Sequence, residues 1–418
     1  MRRDRPIFVV KVYPDGRKGR VVDVSERVES FMYLDRSTKA DRLEIKVNNS
    51  DLRYFDDPVF RKGVLLEVAW GYPGDMSASR WCVIKKAKGG VDLTIEGLSQ
   101  GILLHQVKKC RVWKNVTLQD LADKMQAEYQ DIMFVAGAMQ DYPKVLDTPV
   151  TNLKIIHATQ AAVTDAEFLA RQARKFGYIF RVDPQTGKIR FHSVDTLLKK
   201  PPMRTITWRG GTGDWENFNL DNDITALFGS VIMKGIDTKT GAEVGGKASN
   251  KETKRTGLSQ TVEICDQTTG VYAHEQRNIS ESVETGTAAE AGKEQLQLKA
   301  EGKFKASQRV HLKVEGTLIG DPQLAAMQNI EVNGLGKRLS GKYHLIQVRH
   351  KIEKGAYRTD FVMKRDGDGG YSASPNVVND ASQNKTKAVD TDVDKVEQQE
   401  FFDQPTGQVH YEFHLKGK

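Results

Sequence analysis

The feature that most constrains the fold of this 418-residue sequence is a succession of short apolar segments with the period of strands, each cut off by a turn signal. Segments 7–13, 20–24, 28–34, 43–47, 64–70, 81–85 and 91–98 follow one another through the first hundred residues. Pro14-Asp15-Gly16, Gly71-Tyr72-Pro73-Gly74 and Gly89-Gly90 separate them, because Gly and Pro supply the backbone angles that tight turns require. In Leu93-Thr94-Ile95-Glu96 apolar and polar residues alternate, so one face can meet a core while the other meets water. Many short strands with tight connections favour a small barrel or closed sandwich.

The period changes in the middle of the chain. Thr117 is placed to cap a helix over 118–129, with Asp120 standing in for the usual Glu of a capping box, and Leu118, Leu121, Met125 and Tyr129 fall on one helical face. Thr164 and Glu167 form a regular box ahead of a second helix that Gly177 can end. Residues 178–192 then read as strand, turn and strand. Strand character returns at 203–208, 227–234, 310–315, 329–332, 343–350 and 359–363, and a further helix is expected near 287–300. The expected fold is therefore α+β, mainly β: two small β-barrel domains with an intervening α+β module and a flexible C-terminal extension. The boundaries are 1–108 for the first β region, 109–200 for the module, 201–365 for the second β region, 366–407 for a polar linker and 408–415 for a docking strand.

Composition narrows the function. Lys plus Arg number 63 against 55 Asp plus Glu, a formal charge of +8, and the two signs alternate along the chain. A nucleic-acid role would lean on a concentrated basic face. The densest patch, Lys85, Lys86 and Lys88 with Lys108, Lys109 and Arg111, reads as solvated faces, with phosphate recognition as the alternative. Three dispersed cysteines, Cys82, Cys110 and Cys265, exclude a complete disulfide framework and suit buried thiols in a reducing compartment. The apolar run 7–10 is too short for a signal sequence, and no window reaches the roughly 18 apolar residues of a spanning helix. Folding in a reducing cytoplasm, with no stable membrane or nucleic-acid partner, is the expectation.

Catalytic signals are few. No phosphate loop, H-E-x-x-H or G-x-S-x-G elbow occurs, and Gly334-Leu335-Gly336 lacks the third glycine of a dinucleotide fingerprint. Asp214, Glu216, Asp221 and Asp223 lie close in sequence without evident convergence, and His344 and His350 share strand parity without a paired carboxylate. His410, Glu412 and His414 would share one strand face, a weak metal-ligand pattern, and no cofactor is expected. On the other face of that strand Val409, Tyr411, Phe413 and Leu415 form an apolar stripe suited to pairing with a neighbouring chain's sheet edge.

One long stretch carries a resemblance. Gly316-Thr317-Leu318-Ile319-Gly320-Asp321-Pro322 leads to Asn329-Ile330-Glu331-Val332-Asn333-Gly334-Leu335-Gly336 and then to Gly341-Lys342-Tyr343 and His350. The stretch ends on Gly355-Ala356-Tyr357 through Phe361 to Arg365. It resembles the late-control D family of phage tail proteins and the hub of contractile injection machines. Residues 168–192 look like that family's middle region. The resemblance implies a structural baseplate hub that works without turnover. Such a hub is a homotrimer adapting a hexameric inner tube protein to a central spike, alongside other baseplate proteins, within a phage virion or injection particle. The polar linker in place of a spike domain implies that the spike is a separate polypeptide. Position by position, Gly320, Asp321 and Pro322 would turn the chain, Gly334, Gly336 and Gly341 would permit tight returns, and Tyr343 and His350 would bracket the next strand. The competing readings are a baseplate-associated cell-wall hydrolase, with an acidic cleft in the middle module, and a nucleic-acid-binding module.

Overall fold

A computed structural model describes residues 5–129, 155–208, 215–222, 229–236, 240–249, 263–265, 272–274, 281–285, 293–309, 312–367, 396–403 and 408–415. The fold is mixed α+β, but the expected barrels are not formed: among the described residues no sheet closes on itself. Instead the strands of both β regions belong to one open sheet of 14 strands. Its main path starts at Trp215–Asn222 and ends at Val22–Asp23.

The reason lies in one long strand. Gly341–Glu353 has 13 residues, enough to serve three neighbours. It pairs with Ala356–Arg365 along most of its length, with Asn329–Asn333 through its first residues, and with Val28–Arg36 from Gln347↔Arg36 to Glu353↔Ser30. The edge of Val28–Arg36 that would have closed the first β region on itself is thus taken by the second. Hydrophobic period specifies which residues face inward but not which strand lies alongside.

Two cores lie along this sheet. The first gathers Phe31, Tyr33, Ile45, Leu66 and Trp70 and takes in Ile352 and Tyr357 from the second β region. The other contains Trp215, Tyr343, Leu345, Val348 and Phe361. Each fully buried large side chain contributes about 1.5–3 kcal/mol by leaving water. The aromatic packing is continuous: Trp70 lies 4.6 Å from Tyr33, 5.5 Å from Phe31 and 4.8 Å from the His350 ring.

The middle of the chain folds around a third core. Its helix Leu118–Tyr129 buries Leu118, Leu121, Met125 and Tyr129. Asp120 N–H donates to Thr117 Oγ1 at 3.0 Å while Thr117 N–H donates to Asp120 Oδ2 at 2.8 Å, so the aspartate completes the box. The helix Asp165–Lys175 carries the Thr164/Glu167 box in full. Strands Lys108–Val116 and Ile155–Thr164 pair beside them, followed by the hairpin Tyr178–Val182 and Ile189–Ser193 and the short helix Val194–Lys199. The later helix spans Lys293–Gln308, eight residues beyond the expected end. It seats Leu296, Ala300 and Phe304 on strands Ser230–Ile236 and Glu243–Ser249, while the expected start near 287 lies outside the described residues.

Two further expectations change. Cys82 is buried but Cys110 is exposed, and the side chain of Cys265 lies outside the described residues. Within the expected linker Val396–Asp403 is a strand. It pairs antiparallel with Gln408–Leu415 of the same chain, from Val396↔Leu415 to Asp403↔Gln408.

Candidate functional site

Three parts of the chain meet at a buried cluster of charge. Asp35 ends the inward parity Phe31, Tyr33, Asp35 of its strand, so the pleat carries a carboxylate into the interior, where it is 1% exposed. Arg181, from the hairpin strand Tyr178–Val182, donates through Nη2 to Asp35 Oδ1 at 2.5 Å and to Asp41 Oδ2 at 3.1 Å. Asp41 also accepts from Tyr33 O–H at 2.9 Å, and Arg80 Nη2 stands 3.8 Å from Asp35. From the second β region Ala326 N–H donates to Asp35 Oδ2 at 3.2 Å. One carboxylate therefore ties the first β region, the middle module and the loop before Asn329–Asn333 together.

The electrostatics fit a joint. Burial opposes charge on Asp35, but Arg181 and Arg80 outweigh it and hold the carboxyl below its ordinary value. At Asp41 burial, with the nearby Asp35 charge, outweighs Arg181 and pushes the carboxyl up. Burial disfavours the charged guanidinium of Arg181 as well, yet the two aspartates raise its pKa overall. A cavity of about 280 Å³ opens beside the cluster, bordered by Arg80, Arg181, Asp183 and His192. Burial, then the Arg181 and Arg190 charges, lowers His192 to about 4.

The motif residues fall into two groups along the second β region. Gly320, Asp321, Pro322 and His350 lie by the cluster. Gly320 N–H donates to Tyr357 O at 2.9 Å, and a Cβ there would sit 2.1 Å from the Tyr357 ring, so the close approach of the turn requires glycine. Asp321 is paired with Arg204 and its N–H donates to Thr359 Oγ1 at 3.0 Å, while Pro322 lines the cavity. His350 donates from Nε2 to Leu324 O at 3.1 Å and accepts at Nδ1 from Tyr357 O–H at 2.9 Å. Burial lowers its pKa to about 3, so it is a neutral packing group. The second group lies around Arg365. Gly334 has φ +85° and its missing Cβ would meet Trp208 O at 2.3 Å, while Gly336 opens the short helix Gly336–Leu339 and Gly341 follows its C-cap Ser340. Tyr343 O–H donates to Leu339 O at 2.6 Å and its ring lies under the Arg365 guanidinium at 5.3 Å.

Sequence parity places His344 and His350 on one face, but the ladder shifts register between Leu345 and Gln347. Before this bulge Tyr343 and Leu345 face the core; after it Val348, His350 and Ile352 do. His344 therefore points the other way. Sequence reading also missed Arg181, Asp35 and Asp41, for which the one available signal was a carboxylate at an inward register. The basic patch divides: Lys109 donates to Asp165 at 2.6 Å and Arg111 forks onto Glu128 at 2.6 and 2.7 Å, whereas Lys85, Lys86, Lys88 and Lys108 are exposed. Glu216 accepts from Arg358 at 2.8 Å, and Asp214 and Asp223 lie outside the described residues. The backbone of Gln408–Leu415 is described, but the side chains of Val409, His410, Tyr411, Glu412, Phe413, His414 and Leu415 are not. Among the described residues no group of three or more His, Cys, Asp or Glu is placed to hold a metal ion, and no helix is long and apolar enough to cross a membrane.

Two solved structures share this arrangement of an open multi-stranded sheet and a small α+β module. The chain is similar to the tail protein from Neisseria meningitidis MC58, with 14% identity and a TM-score of 0.59 over 87% of this chain and 97% of that one. It is also similar to the 43 kDa tail protein of prophage MuSo2 from Shewanella oneidensis, with 13% identity and a TM-score of 0.57 over 86% of this chain and 98% of that one. In sequence, the family model described as the Alg8 N-terminal domain matches residues 46–354, about three quarters of the length, and the chain belongs to that family. No curated protein matches it.

Proposed function

We propose that this chain is the structural hub of a phage baseplate or related injection particle, a late-control-D-like homotrimer that joins a hexameric inner tube to a separate spike protein. The observation that carries the reading is the shared fold, which spans more than four fifths of this chain in both tail proteins. Two physical features support it. A sheet that runs through both β regions gives a continuous load path. Its end strands Val22–Asp23 and Trp215–Asn222 are edges, which assembly protects.

The role is mechanical and without turnover. The buried Arg181, Asp35 and Asp41 cluster resists shear between the middle module and the sheet, because separating the partners leaves charge unpaired in a low-dielectric interior. In this reading Val409, Tyr411, Phe413 and Leu415 dock on the spike or on an adjacent subunit, and Gly320, Asp321, Pro322, Gly334, Gly336, Gly341, Tyr343 and His350 keep the supporting strands in place. The hydrolase alternative required an acidic cleft in the middle module; of the two clefts described beside that module, the larger has Asp366 as its one carboxylate among Lys39, Arg174, Arg309, Lys364 and Arg365, and the smaller sets Asp35 and Asp183 against Arg80 and Arg181.

The test is the mass of the purified protein by sedimentation, alone and with candidate tube and spike proteins. The expected result is three times the chain mass, with both partners retained. A monomer that holds neither overturns the proposal. Deleting residues 401–418 tests the docking strand separately, with normal assembly and spike retention counting against it.

A further inference from the structure

A cleft of about 480 Å³ lies where the hairpin Tyr178–Val182 and Ile189–Ser193, the helix Lys293–Gln308 and the strand pair Gly341–Glu353 and Ala356–Arg365 come together. Its size is that of a ligand site. Ile179, Phe180, Leu198 and Ile346 make the walls largely apolar, and Lys39, Arg174 and Lys364 add positive charge. Lys39 and Lys364 have no ion pair among the described residues.

Two buried polar atoms of wall residues have no hydrogen-bond partner among the described residues, His344 Nε2 and Arg365 Nε. Their polarities are opposite. Asn329 donates Nδ2 to Leu197 O at 2.8 Å, which orients its amide so that Oδ1 accepts from His344 Nδ1–H at 2.8 Å. Burial, with the charges of Arg309 and Lys342, lowers the His344 pKa to about 4, so the ring is neutral at pH 7 and Nε2 carries a lone pair that lacks a donor. Arg365 commits Nη1 to Ser340 O at 2.9 Å and stacks on Tyr343, which leaves Nε–H lacking an acceptor.

We propose that this cleft docks an acidic, aromatic peptide segment, and that its occupant is the strand Val396–Asp403 of this chain's own C-terminal hairpin. Three observations select that segment. Glu397, Glu400 and Asp403 supply carboxylates opposite in sign to Lys39, Arg174 and Lys364, and the segment contains no cation. Phe401 and Phe402 supply aromatic bulk for an apolar cleft. Asp366 itself lines the cleft, and the roughly 30 residues that separate it from Val396 can span up to about 100 Å, enough to return to the same cleft or reach that of a neighbouring copy. The partner strand Gln408–Leu415 would then be the outer strand of the docked hairpin.

The proposal does not depend on the hub reading, because it is tested on the isolated full chain. The probe is a fluorescent synthetic peptide of residues 396–403, its binding followed by anisotropy. A chain carrying Glu397→Gln, Glu400→Gln and Asp403→Asn frees the cleft and is expected to bind the probe at least tenfold more tightly than the parent, whose own strand competes. Adding Lys39→Glu and Arg174→Glu, both exposed positions, is expected to weaken that binding at least tenfold with the circular dichroism spectrum unchanged. Equal binding by the parent and the tail variant overturns the assignment of the occupant. Failure of the tail variant to bind, or indifference to the Lys39 and Arg174 changes, overturns the site.

Discussion

Arg181 is the residue whose loss is felt furthest. Its replacement by Ala would leave Asp35 and Asp41 buried without their principal cation, and breaking a buried pair from one side costs about 3–5 kcal/mol. Urea denaturation of Arg181→Ala is expected to show that loss. The fourfold change Arg181→Leu, Arg80→Leu, Asp35→Asn and Asp41→Asn, which removes the charges together, should recover much of it; equal losses in both variants would mean that packing, not charge, holds the joint. Gly320 makes a second demand. Gly320→Ala drives a methyl into the Tyr357 ring with no room to yield, so a loss of about 1–3 kcal/mol is expected in the same measurement.

At the scale of elements, the strand Gly341–Glu353 decides the architecture, and its bulge decides which side chains it buries. Deleting Ile346 would remove the extra residue and leave a regular ladder, Leu345 opposite Met363 and Gln347 opposite Val362, in which Val348, His350 and Ile352 still face the core. Folded protein is therefore expected, with a stability loss of about 1–2 kcal/mol by denaturation from the lost Ser37 N–H to Ile346 O hydrogen bond; a variant that fails to fold would show that the bulge itself is needed to hold the strand against both its neighbours. This strand also marks where sequence reading stops. Helix 118–129 was legible because its caps and apolar face are local, and most strands were legible because alternation is local too. The lateral neighbour of a strand is not local, so two barrels were read where one open sheet forms. Strand Lys108–Val116 escaped for a different reason: its alternation is inverted. Lys109 and Arg111 turn inward to Asp165 and Glu128, while Val112 is 55% exposed. The same blindness hid the candidate site, since Arg181 and the two aspartates are more than a hundred residues apart in sequence and are brought together only by docking of the hairpin.

For the whole molecule, the two buried histidines of that strand couple its folding to pH. His344 and His350 stand 5% and 1% exposed and are held neutral, His350 against Trp70 of the first core and His344 on the opposite face of the strand. In the unfolded chain both protonate near 6.5, whereas in the fold burial delays protonation to about 4 for His344 and about 3 for His350. Between pH 6.5 and 4 the unfolded state therefore binds more protons, and stability falls as pH falls. Each histidine contributes at most about 1.4 kcal/mol per pH unit in that window, so the pair gives a slope of roughly 2–3 near pH 5. Above pH 7 both are neutral in either state and add no pH dependence. Asp35, held below its ordinary value, adds its own loss only once the pH falls through the carboxylate range; Asp41, held above, opposes it there. The urea midpoint is thus expected to be insensitive to these groups from pH 7 to 8 and to decline steeply from 6.5 to 4. Because both histidines lie on the strand shared by the two β regions, tryptophan fluorescence and circular dichroism should lose structure in one transition. A midpoint unchanged between pH 7 and 5 would mean that the histidines are not held neutral by burial. Separate acid transitions would mean that the two regions do not act as one sheet.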